Sequence, residues 1–395
     1  MREATLYLLV QKLIFKAMIQ RRLYNVLKSR FFTGKAIILI GPRQVGKSTL
    51  FKYIISQDEY PAVYLDCDDP ETKSLLTSTN MNELSLLIGN KKLIVIDEAQ
   101  RIPEIGLTLK RITDNFSDVQ LLVTGSSSLD LGDKLNESLT GRKYEYNLFP
   151  ISTAEIYDTS GLIEVKQSLA NRLVYGSYPD ILNHTDNACE LLLNLTNSYL
   201  YKDILSLDNV RRPALLDKLL TALALQIGSE VSFNELAQTV GTDNKTVERY
   251  INLLEKCYVI FQLTAFNRNL RTELKRGKKI YFYDTGVRNA ILHNFSPLEL
   301  RQDVGALWEN FFIAERIKAN HYALRHGKCY FWRTTAQQEI DYIEEADGEF
   351  ITFEMKWNMK RRSTKIPKIF IETYPVKESN VVTPENYYNW LDLTP

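Results

Sequence analysis

The stretch KAIILIGPRQVGKSTLFKYIISQ, residues 35–57, decides the fold. It begins with an apolar run at 35–40, passes through a glycine-containing loop and ends in a helix-length segment. Strands buried on both faces of a parallel sheet read as such continuous runs. The loop, GPRQVGKS at 41–48, fits G-x-x-x-x-G-K-[ST] and lies directly between strand and helix, the setting in which the pattern carries meaning. Its glycines let backbone N–H groups wrap phosphate oxygens, and the helix N-terminus adds favourable dipole charge. The predicted nucleotide cradle is therefore Gly41, Pro42, Arg43, Gln44, Val45, Gly46, Lys47, Ser48 and Thr49. Lys47 is expected to reach the β/γ-phosphates of ATP, and Ser48 to place its hydroxyl on Mg²⁺.

Three further apolar runs follow, AVYLD (62–66), KLIVID (92–97) and VQLLVTG (119–125), with helix-length segments such as PEIGLTLKRITDNF between them. This alternation predicts an α/β fold with a doubly wound parallel sheet. The run LIVIDEAQ ends in Asp97 and Glu98 at a strand's C-terminal edge. There Asp97 suits the Mg²⁺ shell, and Glu98 suits orientation and activation of an attacking water. An Asp at that place is also a common helix N-cap. The next strand brings Thr124, Ser126 and neighbouring hydroxyls to the same edge, either to sense the γ-phosphate or to satisfy a strand-to-helix turn. Arg142, in LTGRKYEYNLFP, reads as a charge stabiliser for phosphoryl transfer or as a structural partner of a nearby acid.

At 395 residues the chain is too long for a single core. Hydrophobic content of 45% and charged content of 25% are those of an ordinary soluble protein, and a net charge of +1 supplies no global field for nucleic acid or membrane. Four scattered cysteines, with no CxxC, point to free thiols in a reducing cytoplasm, and the four histidines form no zinc pattern. The N-terminal LYLLVQKLIFKAMI is broken by Gln11, Lys12 and Lys16, which predicts an amphipathic helix and argues against a signal peptide or a membrane span.

The pattern then changes twice. Residues 156–225 carry apolar residues at helical spacing and predict a connector or lid. VSFNELAQTVGTDNKTVERYINLLEKCYVIFQL is similar to a winged helix-turn-helix, with a small core of Leu236, Ala237, Val240, Val247 and Ile251. Lys245, Thr246 and Arg249 fall on its second helix. The segment after it holds Arg268, Arg271, Lys275, Arg276, Lys278 and Lys279 against Glu273. Such a wing suits a DNA backbone or is a solvated loop tip. From about residue 303 a helix containing LWENFF precedes CYFWR and EIDYIEEADGEFITFEMKW. In the latter, Asp347-Gly348 predicts a tight hairpin turn.

Taken together, GPRQVGKST, VIDEAQRIPE, VTGSSS and LTGRKYEYNLFPIS resemble the AAA+-type ATPase domain of a prokaryotic protein family. Its members carry a C-terminal domain of unknown function that resembles PD-(D/E)XK nucleases. The resemblance covers the chain after about residue 18 and implies ATP binding, Mg²⁺-dependent hydrolysis and use of the ATPase to drive or gate something else. It implies four segments: an AAA+-type P-loop domain (1–155), a helical connector (156–225), a winged helix (226–295) and a small α+β nuclease-like domain (296–395). AAA+ modules often assemble into rings with an arginine supplied in trans, so a homo-oligomer is one expectation, although no unambiguous finger stands out. On the nuclease pattern, Asp341, Glu354 and Lys356 fill the motif and Glu309 is the helix candidate, giving a candidate second Mg²⁺ site. The alternative is a solvated strand face. Downstream, Lys360, Arg361, Arg362, Lys365 and Lys368 form a cationic run. Three functions stand open: an ATPase acting on a protein partner or DNA, a non-hydrolysing ATP switch, and an ATP-regulated nuclease.

Overall fold

All five residues of Ala36–Ile40, strand β1, are buried, as are those of Leu93–Asp97 (β3) and Gln120–Gly125 (β4). The computed structural model describes residues 18–57, 59–77, 80–125, 138–207, 213–267, 277–334, 336–358 and 366–393. The chain divides into two compact units, Met1–Ile151 and Ser152–Pro395. Outside the described residues lie the predicted N-terminal helix through Ala17, Ser126 and its neighbours, Arg268, Arg271, Glu273, Lys275 and Arg276 of the wing, and Lys360, Arg361, Arg362 and Lys365.

In the first unit β1, β3 and β4 join Ala62–Asp66 (β2) and Lys143–Asn147 (β5) in a wholly parallel sheet of order β2-β3-β4-β1-β5. The α/β expectation holds. The register aligns the carboxyl ends of the central strands: Asp66 pairs with Asp97, Ile96 with Val123 and Ile40 with Gly125. The ends of these strands, and with them the loop after Ile40 and the turn after Asp97, therefore meet at one edge, where open α/β sheets place ligands. The helices Lys47–Ser56 and Ile105–Asn115 form at the two stretches predicted for them.

The second unit begins with the helices Thr153–Gln167, Leu169–Tyr175, Ala188–Leu207 and Pro213–Leu225. A two-residue strand, Glu230–Val231 (β6), precedes the helices Phe233–Val240 and Asn244–Lys256. The antiparallel strands Ile260–Ala265 (β7) and Lys278–Phe282 (β8) follow, with β6 against β8. Leu236, Ala237, Val240, Val247 and Ile251 are all buried, the small core expected of them. Beyond the helix Val304–Tyr322 come Lys328–Arg333 (β9), Glu339–Ala346 (β10) and Glu349–Met355 (β11), then a short helix, Lys368–Thr373, and Val376–Val382 (β12), parallel to β11. Asp347 and Gly348 have φ of 54° and 81°, the double left-handed turn of a tight hairpin.

These strands form one sheet of order β12-β11-β10-β9-β7-β8-β6. Its seam is the parallel pair β7–β9, with Thr264 opposite Tyr330, Ala265 opposite Phe331 and a Phe266 N–H to Phe331 O bond of 2.7 Å. The segments expected at 226–295 and 296–395 thus share a backbone ladder. The first unit ends at Ile151, four residues before the expected boundary, because Ser152 already caps the helix of the second.

Candidate functional site

The phosphate loop is shaped by backbone geometry before any side chain matters. Gly41 has φ of 156°, and a Cβ there would lie 2.1 Å from the Leu148 carbonyl oxygen. Leu148 in turn donates to Ile40 O at 2.8 Å, extending the β1–β5 ladder, so a side chain at 41 would collide with a fixed backbone. Gly46, with φ of 95°, caps the helix that starts at Lys47. Lys47 is buried, and its ammonium donates to Gly41 O at 2.8 Å and Pro42 O at 2.9 Å, which holds the cation inside the loop. Outside it, Arg21 donates to Val45 O (2.6 Å) and Phe149 O (2.5 Å), tying the loop to the segment after β5.

The next strands supply the acids. Asp97 is buried and accepts from the hydroxyls of both Tyr64 and Thr124. The Thr124 hydroxyl also accepts the Glu98 N–H at 2.9 Å. Glu98 itself adopts φ of 53°, uncommon for a non-glycine residue, and takes a 2.5 Å bond from the Gln100 amide. Burial raises the Tyr64 phenol far above its usual pKa, its bond to Asp97 adds to this, and a hydrogen bond with Ser48 pulls the other way. Tyr64 therefore links Ser48 and Asp97, the two residues expected to serve Mg²⁺. The donor set, a hydroxyl, a carboxylate and a helix N-terminus beside a buried lysine, fits a magnesium nucleotide.

Arg142 does not join this edge. It precedes Lys143, which pairs with Ala36 at the start of β1, and so stands at the opposite end of the sheet. Its guanidinium pairs with Asp114 at 2.5 Å, the structural partnership that its sequence left open.

A second constellation lies within the second unit. Glu309, on the helix Val304–Tyr322, accepts from Tyr281 OH at 2.6 Å and from Lys279 Nζ at 3.2 Å. Lys279 Nζ is also 2.6 Å from Glu339. Asp341, next to the Tyr342–Phe353 pair of the β10–β11 ladder, accepts the Met355 N–H at 2.8 Å, and Lys356 pairs with Glu354 at 2.5 Å. Burial raises the Asp341 carboxyl well above its ordinary range, and the charges of Glu309 and Glu354 push it further. Burial likewise raises Glu309, against the pull of Lys279 and Tyr281. For Lys279 burial favours the neutral amine, but Glu309, Glu339 and Asp341 outweigh it and the pKa rises. Among the described residues no group of three or more histidine, cysteine or carboxylate side chains is arranged to hold a metal ion. The four residues named by the pattern are neighbours, then, but each carboxylate is met by a donor of the protein itself.

On the helix Asn244–Lys256, Lys245 and Arg249 are exposed, whereas Thr246 bonds the N-cap Asp243 at 2.7 Å and so serves the helix start. No helix among the described residues is long and apolar enough to cross a membrane.

Comparison with known proteins follows the same division. Residues 33–157 match an AAA domain, 166–298 a domain of unknown function (DUF8612) and 304–392 a second one (DUF4143). An uncharacterized protein of Mycobacterium tuberculosis is 31% identical over 339 residues, covering 84% of this chain and 72% of the relative. The chain belongs to this prokaryotic AAA–DUF4143 family. A protein of Methanocaldococcus jannaschii is 24% identical over 318 residues, covering 73% of this chain and 71% of its own. Among solved structures, the Walker-type ATPase of Pyrococcus abyssi aligns with 69% of this chain and 94% of its own, at 17% identity and a TM-score of 0.46. The family match at 33–157 places an AAA domain in the first unit of this AAA–DUF4143 protein.

Sequence reasoning missed Arg21, Tyr64, Lys279, Tyr281 and Glu339. No motif marks them. Tyr64 is visible only as an aromatic two residues before the end of an apolar strand, and Lys279 reads as part of the cationic wing, for a DNA backbone or for solvent. Only the sheet order carries Lys279 to the carboxylates.

Proposed function

We propose that this AAA–DUF4143 protein binds ATP with Mg²⁺ at the edge formed by β1, β3 and β4, hydrolyses it there, and uses its nucleotide state to control the second unit. The observation that supports this is the convergence of the phosphate loop, Lys47, Asp97, Thr124 and Glu98 at one sheet edge, with Tyr64 joining Ser48 to Asp97. Loop N–H groups and Lys47 would bind the phosphates; Ser48 and Asp97 would hold Mg²⁺, which neutralises charge developing on the transferred phosphoryl group. Glu98, whose carboxylate is aimed by Gln100, would orient the attacking water. Phosphate release by wild type, Lys47→Ala and Glu98→Gln tests it. Lys47→Ala should lose nucleotide binding, and Glu98→Gln should bind but turn over at least about 100-fold more slowly. Turnover unchanged in both overturns the assignment, and binding without wild-type turnover favours the switch.

The second unit's helix pair and antiparallel ribbon support a winged-helix reading, and exposed Lys245 and Arg249 suit a phosphate backbone. DNA is on this reading a candidate partner. Fluorescence anisotropy with duplex DNA should show affinity that falls with salt, and binding absent even at low salt removes DNA from the scheme.

A further inference from the structure

The carboxylates of the second unit raise a question that their motif alone does not answer: what balances their charge. Glu309, Glu339, Asp341 and Glu354 lie together on the helix Val304–Tyr322, β10 and β11. Unpaired buried carboxylates are costly, and proteins resolve the cost with a metal, a proton or an internal cation. Here the cation is covalent. Lys279 comes from β8, its side chain is 3% exposed, and its ammonium stands 2.6 Å from Glu339 and 3.2 Å from Glu309. Tyr281, two residues along the same strand and so on the same face, places its hydroxyl on Glu309 at 2.6 Å. Lys356 takes Glu354 at 2.5 Å, and the Met355 N–H takes Asp341 at 2.8 Å.

We propose that the Lys279 ammonium is the resident counter-ion of this cluster, taking the place between Glu309, Glu339 and Asp341 that a divalent ion would need. The second unit then neither binds a catalytic metal nor cleaves nucleic acid; it is a rigid binding module whose two halves are fastened by Lys279 and Tyr281. The chemistry favours this reading. A hard divalent cation takes its oxygens at about 2.0–2.6 Å, so it would compete with the ammonium for Glu309 Oε1 and Glu339 Oε1, the oxygens that Lys279 already holds. Two lysines placed on three of the four acids offset half of the formal charge that would attract it. The seam supports it as well: β7 and β9 share only two paired positions, and the Lys279–Glu339 bond spans the same junction with side chains.

The inference is independent of the nucleotide site, and the experiment keeps them apart by counting only Mn²⁺ binding that Asp341→Asn removes. Mn²⁺ is titrated calorimetrically into the full-length chain without nucleotide, as wild type and as Lys279→Gln, each with and without Asp341→Asn. Wild type should show no Asp341-dependent binding, and folded Lys279→Gln should gain one Mn²⁺ per chain. Asp341-dependent binding by wild type overturns the proposal, as does a folded Lys279→Gln that gains none. Should Lys279→Gln fail to fold, Mn²⁺-supported cleavage of single-stranded and plasmid DNA decides. Equal background from wild type and Asp341→Ala supports the counter-ion, and cleavage lost in Asp341→Ala overturns it.

Discussion

The Thr124 hydroxyl accepts the backbone N–H of Glu98 at 2.9 Å while donating to Asp97, so one side chain fixes both acids at the end of β3. Thr124→Val keeps the shape and removes the hydroxyl, leaving a buried carboxylate and an N–H short of a partner. Stability should fall by about 1–3 kcal/mol. Because misplacing a catalytic group by about 1 Å can cost roughly 100-fold, turnover should fall by about 10–100-fold while ATP affinity stays within about threefold. Thr124→Ser should restore most of both. Urea unfolding and steady-state phosphate release read the two effects separately.

Tyr64 makes a different prediction, since it touches Ser48 and Asp97, the residues proposed to hold Mg²⁺, and not the phosphates. Partners of this kind typically cost about 10–100-fold in metal affinity when removed. Tyr64→Phe should therefore weaken Mg²⁺ binding to the nucleotide complex by about that factor and leave nucleotide affinity in EDTA unchanged. A fluorescent ATP analogue titrated with Mg²⁺ reports both constants. An unchanged Mg²⁺ dependence would mean that the hydroxyl only fills space.

The two loop glycines should separate in stability. Gly46→Ala puts no atom closer than 3.9 Å to its new Cβ and meets only the strain of a positive φ, about 1–2 kcal/mol. At Gly41 the new Cβ would meet Leu148 O at 2.1 Å. Overpacking costs about 1–3 kcal/mol where side chains can yield, and here the obstacle is backbone, so Gly41→Ala should cost the top of that range or more. Thermal denaturation of the two variants gives the order, and equal losses would refute the collision.

The first unit was legible because its signals are local. An apolar run, a glycine loop and a helix start sit within 35–57, and β1, β3 and β4 announce themselves by continuous apolar runs buried along their whole length. The Asp347-Gly348 turn was readable for the same reason. What was not readable is pairing between distant segments. Nothing in CYFWR says that it lies beside β7, so the single seven-stranded sheet, and with it the place of Lys279, could not be inferred from pattern. β5 escaped because KYEYN is an edge strand with two exposed-type charges, and its apolar content is too low to mark it. Arg142 carried a residue type suited to catalysis but no information about which end of the sheet it occupies.

Glu315 closes a buried network at the start of the second unit. Its carboxylate takes the Thr153 N–H at 2.5 Å and pairs with Lys318 at 2.7 Å and Arg172 at 3.4 Å, all three side chains being almost fully enclosed. Burial alone would raise its pKa, but the charges of Lys318 and Arg172, with side-chain hydrogen bonds from Lys318 and Thr153, outweigh it and hold the carboxyl below its ordinary value. An acid lowered in the folded state contributes stability above its unfolded pKa of about 4.3 and loses it as pH falls through the folded value. Glu315→Gln keeps the shape and strands two buried cations, which should cost about 3–5 kcal/mol at pH 7. The gap between wild type and variant should narrow below about pH 4, where wild type begins to take up the proton. Urea unfolding at pH 7, 5 and 3.5 measures that gap, and one that stays constant across the series would show that the charge of Glu315 contributes nothing to the network.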